Sequence, residues 1–255
     1  MKIAHLSCFI LAAMVLQAGA AQAAMKTRWI DYKQGNTPLS AYLIYNDAVQ
    51  GPRPGILMIH DRSGFSDNTL ADALMIAKLG YAVFAEDIFG KGVVPKDVPE
   101  MKKLITIYKD DRPLMRARAL AGFDVFKALP IVDPTRLASV GYCFGGTVGI
   151  ELIETGAPLL GFVSVHGSFN KFTPQAAKNI KGRVLILHGA EDTAAPMEEV
   201  NSLISQFRSA KVDFEVNLYS GATHGFTRPQ NPSEVRADEG YRVAMTRFFK
   251  DILGL

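Results

Sequence analysis

Apolar and polar residues alternate over Arg28–Tyr32 and Leu39–Tyr45, with Gly35-Asn36 between the two stretches. That pattern predicts an antiparallel hairpin at the edge of a sheet. The pattern then changes. Gly55–Ile59 is an unbroken apolar run, as expected of a strand buried on both faces. Further strands are read at Tyr81–Ala85, Leu137–Val140, Gly161–Val165, Val184–Leu187 and Phe214–Tyr219. Helical periodicity separates them, at Thr69–Leu79 (stopped by Gly80), Arg116–Leu129, Thr147–Glu154 and Met197–Ala210. A last amphipathic helix aligns Tyr241, Met245, Phe248, Phe249 and Ile252 on one stripe, which reads as core packing. Strands alternating with helices specify an α/β fold, a mostly parallel sheet with helices on both faces. No repeat or linker divides the chain, so residues 24–255 read as one domain. Only 18 residues (166–183) separate two of the strands, which leaves no room there for a cap domain and predicts an open site.

The first 23 residues follow a different rule. Lys2, an apolar run from Ile10 to Leu16, and small residues ending Ala21-Gln22-Ala23 match a secretory signal peptide cut after Ala23. The apolar run is too short to span a bilayer, which takes about 20 residues. The expected location is therefore the periplasm or the exterior, with no membrane attachment after cleavage. Cys8 would leave with the leader, so Cys143 is the single cysteine of the remainder and no intrachain disulfide can form. A lone thiol in an oxidising compartment is a liability unless it is buried or used. With 48% hydrophobic and 21% charged residues the chain can bury a large core. A net charge of +3 with no basic run argues against a nucleic-acid partner.

Cys143 lies in Gly141-Tyr142-Cys143-Phe144-Gly145-Gly146, which reads G-x-C-x-G-G between a strand and a helix. This is the spacing of a nucleophile elbow, with cysteine at the tip. Flanking glycines let strand and helix pass closely, and the helix N-terminus offers backbone N–H groups to a thiolate or an oxyanion. An inert cysteine in a glycine-rich turn would share the spacing but needs no partners. A working thiol needs a base, and the base needs an orienting acid. Of the histidines, His5 lies in the leader, and His60, His166 and His188 end apolar strands and read as packed or backbone-bonded. His224 sits in the loop Gly221-Ala222-Thr223-His224-Gly225-Phe226, after a strand, where a base can reach the elbow. Asp192, in His188-Gly189-Ala190-Glu191-Asp192, supplies the acid, with Glu191 as its competitor. The chain order nucleophile, acid, histidine is that of the elbow-bearing hydrolases.

Those three landmarks make the chain resemble the dienelactone hydrolases, or carboxymethylenebutenolidases, of the α/β-hydrolase fold. The resemblance implies Cys143 as nucleophile, Asp192 as acid and His224 as base. It also implies an acidic residue after the first buried strand that takes part in activating the thiol. Here Asp61 of His60-Asp61-Arg62-Ser63-Gly64 stands where the family usually has glutamate; the alternative is a carboxylate that caps a helix or orders the loop. By the same resemblance the oxyanion is held by the backbone N–H groups of Phe144 and Arg62. Arg228, four residues after the histidine, would bind a substrate carboxylate, or else be an exposed loop arginine. Arg112, Arg116 and Arg118 compete for a second such role.

The reaction so implied is hydrolysis of a small ester or lactone, with an anionic substrate as the form an arginine would recognise, through a thioester on Cys143. No metal or organic cofactor is expected, since the histidines are dispersed and no clustered ligand motif is present. Two other readings keep the fold: a broad carboxylesterase acting on neutral or acyl-sugar esters, and a non-catalytic binding or thiol-redox module.

Overall fold

The computed structural model describes residues 24–254; the predicted signal peptide lies outside the described residues. Eight strands form one sheet: β1 (Met25–Gln34), β2 (Thr37–Asn46), β3 (Arg53–Ile59), β4 (Ala82–Glu86), β5 (Val132–Tyr142), β6 (Gly161–Val165), β7 (Arg183–Gly189) and β8 (Phe214–Tyr219). Their order is β1-β2-β4-β3-β5-β6-β7-β8. The hairpin β1–β2 joins β4 antiparallel, and every later pairing is parallel. The expected edge hairpin and parallel α/β sheet are thus present. β3, β4 and β6 are buried throughout, which explains their largely apolar sequences.

Helices cover the two faces. α1 (Asp67–Ala77) and α7 (Pro232–Leu253) pack on one side through Ala73, Ile76, Tyr241, Met245 and Phe249. α3 (Arg112–Lys127), α4 (Phe144–Ile153) and α6 (Met197–Ala210) pack on the other through Phe123, Phe126, Val148, Leu152, Leu203 and Phe207. Two helices lack a counterpart in the hydrophobic pattern. α2 (Val98–Asp110) fully buries only Tyr108 and rests Leu104 and Ile105 partly buried against the core, so most of it lies at the surface. Its start is nevertheless written locally: the Asp97 side chain accepts from Glu100 N–H at 2.8 Å, and the Glu100 carboxylate accepts from Lys96 N–H. α5 (Pro174–Ala177) is a single turn.

Glu154 at the C-terminal cap of α4 is 7% exposed, and its Oε1 has no hydrogen-bond partner among the described residues. Burial, reinforced by the charge of Glu151 and only partly opposed by Arg116 and Arg112, pushes its pKa up to about 8. The folded chain therefore keeps a proton that the unfolded chain loses near pH 4.5. Stability is fully present below that pH and declines as pH rises through about 8. Glu154→Gln should melt close to the wild type at pH 4.5 and several degrees higher at pH 8.5, at about 2–4 °C per kcal/mol for a domain of this size. Thermal melts at the two pH values check this; an equal shift at both would contradict it.

Candidate active site

The elbow is built from backbone contacts. β5 ends at Tyr142 and α4 begins at Phe144, leaving Cys143 at φ 52° and ψ −113°. Such a conformation costs a non-glycine residue about 1–3 kcal/mol and persists only where its surroundings impose it. Here Cys143 N–H donates to Val165 O (2.9 Å), and Gly146 N–H donates to Cys143 O (3.0 Å). Two glycines make the crossing fit. A Cβ on Gly141 would lie 2.0 Å from Gly145 O, and one on Gly145 would lie 2.3 Å from Ile59 O. Strand β3, strand β5 and helix α4 therefore meet backbone to backbone beneath the thiol. Phe144 opens α4, so its N–H has no acceptor within the helix and is free for another partner. Arg62, in the loop after β3, lines the same cleft as Phe144 and Cys143.

Folding brings three side chains into a line. Cys143 Sγ lies 3.1 Å from His224 Nε2, and His224 Nδ1 donates to Asp192 Oδ2 at 2.8 Å. The loops after β5, β7 and β8 supply them, all at the carboxyl end of the parallel strands. Asp192 is buried, and its Oδ1 accepts from the Ala194 and Ala195 N–H groups, each at 2.9 Å. His188 donates through Nε2 to Ala195 O (2.8 Å), bracing the same loop. Glu191, the competing acid, is exposed.

Burial works against charging His224, but the hydrogen bonds to Asp192 and Cys143 outweigh it and lift its pKa to about 10. Burial likewise tends to raise Asp192, yet the His224 hydrogen bond and the Ala195 amide hold it below the usual carboxylate value. The imidazole thus carries its proton at neutral pH, and its positive charge faces the sulfur. Together with the amino end of α4 it stabilises negative charge at Sγ.

Other residues fall elsewhere than the sequence suggests. Asp61 is not part of the line: its Oδ1 accepts from Ser63 N–H (2.7 Å) and from the Ser63 hydroxyl, so it orders its own loop. The carboxylate is short, and a side chain satisfied two residues along the chain does not extend to the thiol. Arg228 also turns away. Its Nη2 donates to Asp72 Oδ2 on α1 at 2.7 Å and its Nη1 to its own Thr227 carbonyl, which leaves the guanidinium committed outside the cleft. Arg112 and Arg116 both hold Glu151 on α4, at 2.9 and 2.6 Å. Arg118 is buried.

The cleft at Cys143 has a volume of about 120 Å³ and takes two unforeseen side chains from α2, Ile105 and Lys109. The helix therefore narrows a site expected to be open. Among the described residues, Arg62 and Lys109 form no salt bridge, so they are the cations available to the cleft.

His60 is packed as expected, accepting from Ile88 N–H and lying against Phe89. His166 is buried too, but it lines the Cys143 cleft, with its ring 4.9 Å from that of His224. Burial, aided by the charge on His224, pulls its pKa down to about 3. Its signal in the sequence was positional: it ends a strand adjacent to the one that carries the elbow.

A profile of the dienelactone hydrolase family matches residues 39–253. The human carboxymethylenebutenolidase homolog is 26% identical over 196 residues, covering 73% of this chain and 76% of that protein. Protein usf of Aquifex pyrophilus is 25% identical over 215 residues, covering 78% of this chain and 89% of its own. Among solved structures, a dienelactone hydrolase-like promiscuous phosphotriesterase from metagenomic libraries superposes with a TM-score of 0.85 at 33% identity, over 91% of this chain and 100% of that one. Among the described residues no helix is long and apolar enough to cross a membrane.

Proposed function

Because this chain belongs to the dienelactone hydrolase family, whose hydrolase chemistry it shares, we propose that it cleaves small carboxylic esters or lactones through a thioester on Cys143. The observation that carries this reading is the unbroken contact Cys143 Sγ–His224 Nε2–His224 Nδ1–Asp192 Oδ2. Sulfur attacks the acyl carbon, and the carbonyl oxygen takes the negative charge beside the N–H groups of Phe144 and Arg62. Each such donor contributes about 2.7–4 kcal/mol to the transition state. The imidazolium of His224 then protonates the departing alkoxide or enolate, leaving a neutral imidazole. That imidazole takes a proton from water, which attacks the thioester and restores the thiolate and imidazolium pair. Thiolate is itself a good leaving group, so esters and lactones suit the site better than amides.

Volume limits the acyl part. Pockets for drug-sized ligands span about 300–1,000 Å³, far above the roughly 120 Å³ here. For an anionic substrate, Arg62 and Lys109 supply the countercharge in place of Arg228. Lys109→Ala and Arg62→Ala should each raise KM for a carboxylate-bearing ester about two- to tenfold, while Arg228→Gln leaves it within about twofold. Comparing KM for matched anionic and neutral esters checks this. Equal KM effects on both esters would favour the broad carboxylesterase, a reading already supported by the engagement of Arg228 with Asp72. The leader-like pattern of residues 1–23 supports action outside the cytoplasm.

Acid quenching during turnover of an activated ester or lactone, followed by intact mass, tests the intermediate. The expected species is one acyl group per chain, lost on treatment with hydroxylamine and absent from Cys143→Ala. Turnover that persists in that variant would move the chemistry elsewhere.

A further inference from the structure

The hydrolytic cycle makes no use of His166, although the fold places it at the nucleophile. It is 4% exposed, and neither ring nitrogen has a hydrogen-bond partner among the described residues. Its backbone sits at φ 42°, unusual for a residue other than glycine. A buried polar group left unpaired is destabilising, so this imidazole is held in place at a cost and its lone pair is open to a ligand. What it faces is specific: Cys143 Sγ, a ring nitrogen of His166 and a ring nitrogen of His224 all lie within 4.8 Å of one another.

We propose that Cys143, His166 and His224 form a capture site for a borderline-soft dication, Zn²⁺ foremost, and that its occupation switches the hydrolase off. One thiolate and two imidazoles are ligands zinc prefers, and three protein ligands with an open position are the arrangement of exchangeable zinc sites. The cleft above Cys143 supplies that position for water. Tetrahedral bonds of 2.0–2.3 Å set ligand atoms about 3.3–3.7 Å apart, a range that the present separations, from 3.1 Å for Cys143 Sγ–His224 Nε2 up to 4.8 Å at most, bracket closely. His224 is already oriented for the task. Its Nδ1 is held by Asp192 at 2.8 Å, which directs Nε2 to the metal as in carboxylate–histidine–zinc arrangements. Binding forms one Zn–S and two Zn–N bonds and sends the proton shared by Cys143 and His224 to solvent; no electrons are transferred. It occupies nucleophile and base together, so hydrolysis and zinc binding exclude each other. The binding itself does not depend on which ester is the substrate.

The test titrates purified, metal-free protein with Co²⁺ under reducing, anaerobic conditions. One ion per chain is expected, with visible bands of tetrahedral intensity and a sulfur-to-cobalt charge-transfer band in the near ultraviolet, both removed by one equivalent of Zn²⁺. Calorimetry with Zn²⁺ should give the same stoichiometry. His166→Asn and His166→Gln should each weaken zinc at least about tenfold, and Cys143→Ser should abolish the charge-transfer band. Zinc should also protect Cys143 from alkylation in wild type and lose that protection in the His166 variants. Two His166 variants guard against one misfolding, with near-ultraviolet circular dichroism identifying the folded one. No charge-transfer band, or wild-type zinc affinity in a folded His166 variant, would overturn the proposal. Neither readout requires ester turnover, so its failure is distinguishable from failure of the hydrolase reading.

Discussion

Cys143→Ala is expected to lower kcat for ester or lactone hydrolysis by at least about 10⁴-fold, with the protein still folded. In the proposed cycle the sulfur forms the covalent intermediate, and no other cysteine stands among residues 24–255. Removing one sulfur from a half-exposed position takes little packing away, so the melting temperature should change far less than the rate. Cys143→Ser separates two explanations of that loss. A serine hydroxyl occupies the same elbow, but it is far harder to deprotonate than a thiol, and replacing the sulfur removes one of the two partners that raise the His224 pKa, leaving Asp192. The serine variant should therefore remain at least about 100-fold below wild type near neutrality. Full activity of the serine variant at pH 7 would show that the site activates a hydroxyl as readily as a thiol, against an intermediate that depends on sulfur.

Asp192→Asn should reduce kcat by about 10³–10⁴ with little effect on KM. The asparagine carbonyl can still accept from the Ala194 and Ala195 N–H groups, so the loop is kept. Its amide NH₂, however, meets His224 Nδ1 as a donor and forces the other tautomer on the ring. The variant also predicts a stability signature. His224 has its pKa raised in the folded chain, so the stabilisation Asp192 gives it is fully present below pH 6.5 and lost as pH rises through about 10. Asp192 is itself held below its usual value, so its contribution is fully present above the ordinary carboxylate value. The melting-temperature deficit of Asp192→Asn should thus be largest between about pH 4 and 6.5 and shrink towards pH 10. A deficit independent of pH would mean that Asp192 supports the loop alone, and activity within tenfold of wild type would remove it from the reaction.

How much of this was legible in the sequence depended on how locally each feature is encoded. Strands buried on both faces and helices with a wide apolar stripe declare themselves, which is why β6 and α6 have the bounds their patterns predict. β5 begins at Val132, five residues earlier than its apolar run, because its first turn through Asp133 and Pro134 is polar and its register with β3 shifts there. α2 escaped because it lies on the surface, yet it shapes the cleft through Ile105 and Lys109. Cys143, Asp192 and His224 could be found because strand ends and glycine spacing mark them. Asp61, Arg228 and His166 could not be placed by spacing, since what decides them is a hydrogen bond. Asp61 turns to Ser63, Arg228 to Asp72 across 156 residues, and His166 to nothing. No spacing rule could join Cys143, His166 and His224, whose proximity exists only in the folded sheet.

The distance along the chain between nucleophile and base has a further consequence, in time. Cys143 and His224 are 81 residues apart, and β6, β7 and β8 must all be laid beside β5 before the two can meet. Contacts of such long range are the slow ones to form. On the ribosome the elbow emerges well before the histidine loop, so a nascent chain halted at β8 would carry a thiol without its base and no hydrolase. Regain of activity is consequently a clock for the last stage of folding, lagging behind compaction and the return of helical signal. The interval between them is the period in which this protein is most open to thiol modification and to its helpers in the cell.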